Sequence, residues 1–212
     1  MNKIKYYVLL LLFFLPSLVY SQTSGGQIKR KVATSGRTQN SHSMIIKDID
    51  WSIVKSEDYS LIQDDIRKAA EFLNDLPSTA SYVEEKPYTL GLLDSKVSNI
   101  NLSEIALLRR VRSIQVSRLG IFSYDYFNCK FFYKNKTIFF QKTTGSQRKS
   151  GYLYKSDSQK FIFLGGWSVN DEPLTGYNSK NSVIGSLYKL SSGKYIMLFF
   201  EGNSFEIYEF AR

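Results

Sequence analysis

Hydrophobic and polar positions change their spacing once along this chain, near residue 110. Before that point, apolar residues recur every three or four positions within residues 57–76, which predicts one amphipathic helix that begins after Ser56 and ends before Pro77. The residues that define this spacing are Tyr59, Ile62, Ile66, Ala69 and Leu73. After residue 110, apolar and polar residues alternate in short runs, which is typical of β-strands with one buried face.

Eight short segments show this alternation and are rich in β-branched and aromatic residues. They cover residues 111–119, 125–133, 136–142, 151–155, 160–165, 183–190, 194–200 and 204–210. Short turns rich in Gly, Asn, Asp and Ser separate most of them, which predicts antiparallel neighbours. The predicted fold class is therefore α+β, with an N-terminal helical segment packed on a C-terminal antiparallel β-barrel of about eight strands. A lipocalin-like up-and-down barrel is preferred over a sandwich because a closed barrel has no exposed edge strand.

The N-terminus predicts export. In residues 1–21, Lys3 and Lys5 precede an apolar run that is too short to span a bilayer, as in a secretory signal peptide. An uncleaved anchor is the alternative. Residues 22–45 are polar and predict a flexible leader, and residues 46–212 predict a single globular domain, helical and irregular over 46–110 and antiparallel β over 111–212. The predicted location is periplasmic or secreted, with no stable membrane span after cleavage.

The composition of the chain restricts the kinds of partner and catalytic site that it can have. The chain carries a net charge of +9, of which Lys3 and Lys5 contribute two, and such an excess favours acidic partners without choosing among them. Cys129 is the only cysteine and His42 the only histidine, which excludes an intrachain disulfide, a Cys/His zinc site and a histidine-dependent triad. Phosphate-binding glycine patterns and metal-ligand spacings are missing from the sequence, so no cofactor, metal or nucleic-acid partner is predicted.

The candidate binding residues lie in two connections of the predicted barrel. Residues 143–151 are polar and are predicted to link two strands, with a conformational break at Gly145 and at Gly151. The long connection 166–182 is the other place where binding is expected, although it could equally plug the barrel end. The candidates for a ligand or partner site are Ser146, Gln147, Arg148, Trp167 and Tyr177. As an alternative role, Gln147 and Arg148 would bridge neighbouring turns or cap the barrel end.

The same stretch resembles a known family. Thr144-Gly145-Ser146-Gln147-Arg148, followed by Gly151, Phe163-Leu164-Gly165, Tyr177 and Gly185, is similar to the bacterial domain-of-unknown-function 4893 family. The resemblance extends from about residue 50 to the C-terminus. It implies an exported protein with no established activity.

These observations favour an exported, non-catalytic binding module of the cell envelope that binds a small ligand or an envelope protein. One alternative is a carboxylate-dependent hydrolase, for which Asp171, Glu172 and Glu201 are the available acids, although no catalytic residue is assigned. Another is a structural or inhibitory protein that docks on an envelope enzyme. A hollow barrel would favour the small ligand, whereas a filled barrel with a projecting 166–182 loop would favour a protein partner.

Overall fold

The computed structural model describes residues 45–212; the predicted signal peptide and the predicted leader, apart from Ile45, lie outside this part of the chain. The helices of this part are α1 Tyr59–Ile62, α2 Asp65–Asn74, α3 Lys86–Leu93 and α4 Leu102–Ile105, with short 3-10 turns at Trp51–Ile53, Ser56–Asp58 and Val83–Glu85. No helix within residues 45–212 is long and apolar enough to cross a lipid bilayer.

The strands form one antiparallel sheet that closes on itself. They are β1 Val97–Ser98, β2 Arg110–Ser117, β3 Gly120–Ser123, β4 Phe127–Lys134, β5 Thr137–Lys142, β6 Gln147–Lys155, β7 Lys160–Val169, β8 Ser182–Leu190, β9 Tyr195–Glu201 and β10 Ser204–Ala211. From β4 to β10 each strand pairs with the next, and β2 pairs with both β4 and β10. Within the described residues, eight strands thus form a closed up-and-down barrel that follows a helical segment in the sequence. The predicted fold class is confirmed.

Aromatic side chains fill the middle of the barrel. Phe140 is fully buried, and its ring centroid lies between 5.0 and 6.1 Å from those of Phe131, Phe163, Tyr208 and Phe210. Most of these rings meet edge to face, the arrangement that the ring quadrupole favours. Cys129 belongs to the same core, and burial raises the pKa of its thiol to about 12. The interior is therefore packed with side chains rather than hollow.

Helix α4 closes one end of the barrel. The Asn101 side chain accepts a hydrogen bond of 3.0 Å from the Ser103 backbone N–H, which caps the start of this short helix. Ile105 and Leu108 then pack into the inner aromatic core. We call this the α4 end. The strands β6 and β10 begin at the opposite end, which α4 does not cover.

The prediction of a single helix over residues 57–76 is wrong, because the helix is interrupted at residues 63–64. Asp64 has a φ of 51°, in the left-handed region, and separates α1 from α2. Ile62 of α1 packs with Ile162 and Ile184 on the outside of the barrel. Ala69 and Leu73 of α2 pack in a different outer cluster. The break therefore lies between two helices that pack on different parts of the outer surface of the sheet.

A second outer contact, which we call the Glu209 cluster, fastens α3 to the barrel. Glu209 on β10 is buried, and its carboxylate contacts Arg112 Nε at 2.7 Å and Lys194 Nζ at 2.8 Å. The Tyr88 hydroxyl of α3 donates to the same carboxylate at 2.7 Å. Burial by itself raises the pKa of Glu209, but hydrogen bonds from Lys194, Tyr88 and Arg112 outweigh it, so the pKa lies below its ordinary value.

This lowered pKa makes stability depend on pH. The stabilisation is complete above the unfolded-state pKa of about 4.3 and is lost as the pH falls through the lower folded-state pKa. We expect Glu209→Gln to reduce the free energy of unfolding at neutral pH and to flatten its decline in acid, as measured by urea denaturation across this range. Glu84→Gln, at an exposed position, is the matched control and should leave the profile unchanged. Equal profiles for the two variants would contradict the prediction.

Candidate functional site

The end of the barrel opposite α4 carries charged side chains on its inner surface. Phe140, Gly151 and Tyr208 face the interior of the barrel. Because side chains alternate along a strand, the residues two positions nearer this end on the same strands also face inward. These are Lys142 on β5, Lys149 on β6 and Glu206 on β10. Together with Ser113 of β2 and the hydroxyl of Tyr208 they form what we call the polar cluster.

A carboxylate stands at the centre of the polar cluster. Glu206 forms an ion pair with Lys149 and accepts a hydrogen bond from the Ser113 hydroxyl. The Glu206 and Lys149 side chains are 13% and 15% exposed. Burial alone raises the pKa of Glu206, but the nearby Lys149 ammonium and these hydrogen bonds outweigh it and hold the pKa below its ordinary value. Glu206 is therefore ionised at neutral pH.

Lys142 brings a second ammonium group, which has no carboxylate of its own in the described part of the chain. Its residue is only 4% exposed, and Nζ donates to the backbone oxygen of Gln147 at 2.9 Å. Nζ also lies 4.4 Å from the Phe127 ring centroid and 5.6 Å from that of Tyr208. Burial lowers the pKa of Lys142, Glu206 opposes this shift, and Lys149 adds to it. Among residues 45–212, Lys142 forms no ion pair within 4.0 Å.

Tyr208 lies between the two lysines. The Lys149 Nζ is 5.1 Å from its ring centroid, and Lys142 contacts the same ring. Its hydroxyl is buried and has no hydrogen-bond partner in the part of the chain that the structure describes. Burial raises the pKa of Tyr208 well above its ordinary value, so the hydroxyl remains a neutral donor. The polar cluster thus contains two cations, one carboxylate and a hydroxyl donor without an acceptor. An anion that entered it would balance the second cation and accept a hydrogen bond from the hydroxyl.

The predicted connection 143–151 is shorter than the sequence indicated. Gly145 has a φ of 87° and does form a break, but β6 begins at Gln147 and Gly151 lies inside this strand. Ser146 is exposed in the turn, and its backbone oxygen accepts from the Asn170 N–H at 2.7 Å. The Gln147 side-chain oxygen accepts from Gln115 Nε2 at 3.3 Å, which spans the barrel end above the polar cluster.

Arg148 lies on the other face of the strand. It follows Gln147 and precedes Lys149, so its side chain lies on the outer surface of β6, opposite Ser168 of β7. Arg148 Nε and Ser168 Oγ are both buried, and neither has a hydrogen-bond partner within residues 45–212. The structure thus separates Arg148 from the polar cluster, although both are at the same end of the barrel.

Trp167 and Tyr177 differ in their distance from the cluster. Trp167 pairs with Lys149 across β6 and β7, is 39% exposed, and forms part of the rim. The Tyr177 hydroxyl instead donates to Asp58 at 2.5 Å and accepts from the Lys55 N–H at 3.0 Å. It fastens the 170–181 loop to the N-terminal segment. The structure therefore brings Gln147 and Trp167 to the polar cluster and holds Tyr177 away from it.

Sequence reasoning did not select Lys142, Glu206, Ser113 or Tyr208. The signal that was available is the phase of the alternation, because Lys142 continues the inward series of Phe140, and Glu206 that of Tyr208. A charged residue that faces the same way as buried aromatic residues of its strand indicates either the end of the strand or a polar region of the interior. Lys142 and Glu206 lie near strand ends and also form a polar region of the interior.

Part of the chain matches a known protein-family model. Residues 108–198 match the model of a domain of unknown function, DUF4893. This confirms the predicted resemblance, over a range shorter than the one expected from about residue 50 to the C-terminus. The DUF4893 match runs from just before β2 into β9; it includes Lys142 and Lys149, whereas Glu206 and Tyr208 lie beyond it. No curated protein and no solved structure matches the chain.

Proposed function

We propose that this protein is an exported, non-catalytic binding module of the cell envelope that holds an anionic group at the polar end of its barrel. The group is a carboxylate or a phosphate, carried by a small molecule or presented by a partner protein. Export is supported by the signal-like residues 1–21, and the binding role by the polar cluster. The observation that carries the proposal is the buried ammonium of Lys142, which has no carboxylate of its own among residues 45–212, beside the Lys149–Glu206 pair.

The filled interior places the proposed ligand at the barrel end. Aromatic rings occupy the middle of the barrel and α4 closes the opposite end, so an anion approaches from the rim formed by Gln147 and Trp167. Two lysines against one carboxylate leave one excess positive charge, and ammonium donors in a partly dry site bind anions more strongly than in water. Exposed residues of the 170–181 loop, among them Leu174, border this end and supply a surface for a protein that presents the anion.

Removing the Lys142 charge is expected to weaken anion binding without lowering the free energy of unfolding. Lys142→Met keeps an apolar stem, leaves the Lys149–Glu206 pair intact, and removes a buried cation that lacks a carboxylate. We expect the variant to be at least as stable as the wild type in urea denaturation. We also expect about tenfold weaker binding of acetate and inorganic phosphate, because one charge-assisted hydrogen bond is lost.

The binding measurement is an NMR titration of the exported protein with acetate or phosphate, with chloride at matched ionic strength as the reference. Amide signals of Gln147 and Trp167 report on the site. Lys130→Met, at an exposed lysine on the outside of β4, is the matched control and should bind as the wild type does. Identical responses to chloride, or equal binding by Lys142→Met, would rule out the anion site. Binding of phosphate but not acetate would identify the anionic group.

A further inference from the structure

A separate cavity lies on the outside of the barrel, near the α4 end. It has a volume of about 510 Å³ and is bounded by α2, the end of α3 and the strands β7 and β8. Ile66, Ala70 and Leu93 give it an apolar wall. The other lining residues are mostly charged. The cavity shares no residue with the polar cluster.

Asp65 is the buried polar group of this cavity. The residue is 2% exposed, and its Oδ1 accepts from the Tyr188 hydroxyl at 2.5 Å and from the Ile66 N–H at 3.1 Å. Lys160 Nζ lies 3.5 Å from the same oxygen. The other oxygen, Oδ2, is buried and has no hydrogen-bond partner within residues 45–212. A buried carboxylate oxygen without a donor is costly, so a group that donates to it would stabilise this wall.

The charges around the cavity favour a cation. Three carboxylates line it, from Asp64, Asp65 and Asp94, against the two cations Arg67 and Lys160. The Arg67 guanidinium is already engaged by Asp64 at 3.3 Å and by Glu71, outside the lining, at 2.6 Å. This cavity is therefore negative in a chain whose net charge is +9. An anion would meet the unpaired oxygen of Asp65 and be repelled.

We propose that this cavity binds a small organic ammonium ligand with at least one N–H donor and an apolar chain. The ammonium group donates to Asp65 Oδ2, Asp94 adds attraction from the cavity edge, and the chain lies along Ala70 and Leu93. The break at Asp64 between α1 and α2 places Asp65 at the first position of α2, facing Tyr188 on the barrel. The inference does not depend on the anion site at the polar end.

The test uses three probes on the exported protein: n-butylammonium, tetramethylammonium and n-butanol. The first has both charge and donor, the second has charge without a donor, and the third has a donor without charge. We expect n-butylammonium alone to shift the amide signals of Ile66, Ala70 and Leu93 in a saturable NMR titration. An equal response to tetramethylammonium, or no response of these amides to n-butylammonium, would overturn the proposal.

Two variants locate the contact. Asp65→Asn removes the charge at nearly constant shape and is expected to weaken n-butylammonium binding about tenfold or more. Should this variant fail to fold, Asp94→Lys decides, because Asp94 is exposed and lies at the end of α3, where a lysine is tolerated. We expect Asp94→Lys to weaken binding several-fold. Asp171→Lys, the same substitution in the loop at the other end of the barrel, should have no effect. Equal affinities for Asp94→Lys and Asp171→Lys would refute the assignment.

Discussion

Glu206→Ala is expected to lower the free energy of unfolding by about 3–5 kcal/mol, the usual cost of removing one partner from a buried ion pair. Glu206 holds the Lys149 ammonium and accepts from Ser113 inside the barrel. Without it, Lys149 and Lys142 would face each other across the Tyr208 ring with no carboxylate between them. The measurement is urea denaturation at neutral pH. The two proteins are compared with the same dependence of the unfolding free energy on urea concentration.

The control removes both charges of the pair. Lys149→Met combined with Glu206→Gln leaves an amide that still accepts from Ser113, and it leaves Lys142 as the single cation of the cluster. Because replacing a buried pair with neutral groups of similar size is often close to neutral, we expect this double variant to unfold near the wild type. If the double variant were as unstable as Glu206→Ala, the loss would come from packing rather than from charge.

The barrel was predictable because its signal is local. Alternating residues and short turns specify each strand and its neighbour, and eight such strands leave closure as the way to remove edges. β3 was missed because it is only four residues long and pairs with β2 through a tight hairpin at residues 117–120. The helix break at Asp64 was missed for a different reason. The apolar spacing runs unbroken through it, and the two outer clusters that α1 and α2 contact are separate only in the folded chain.

The candidate site was harder to predict because it depends on register. The residues Gln147, Arg148 and Lys149 look like a loop in sequence, yet they pair with the last residues of β7 and extend both strands to the barrel end. Once Gln147 is strand, the direction of each side chain follows, and Lys149 faces inward while Arg148 faces outward. The binding role of Ser146, Gln147, Arg148, Trp167 and Tyr177 stays a prediction. The structure adds Lys142 and Glu206, which come near each other only when β5, β6 and β10 close into one barrel.

Gly151→Ala is expected to lower the free energy of unfolding by about 1–3 kcal/mol, although it adds a single methyl group. Gly151 and Gly165 are paired across β6 and β7, and the Phe163 ring lies over them. A Cβ at Gly151 would lie 2.8 Å from Phe163 Cζ and nearer still to Gly165 Cα. The backbone at Gly165 is fixed by its strand pairs, so the barrel has to open locally or the ring has to move.

Moving that ring away from the added methyl group would be costly. Phe163 is fully buried and packs edge to face on Phe140 at 6.1 Å and on Phe199 at 5.5 Å, so displacing it disturbs the centre of the core. Gly91→Ala makes the same substitution in α3, where nothing lies within 4 Å of an added Cβ. There we expect a gain of about 0.5–1 kcal/mol, because alanine favours the helix. Opposite signs for the two variants in urea denaturation would assign the Gly151 effect to the close contacts at that position, whereas a gain at both positions would show that the barrel accommodates the methyl group.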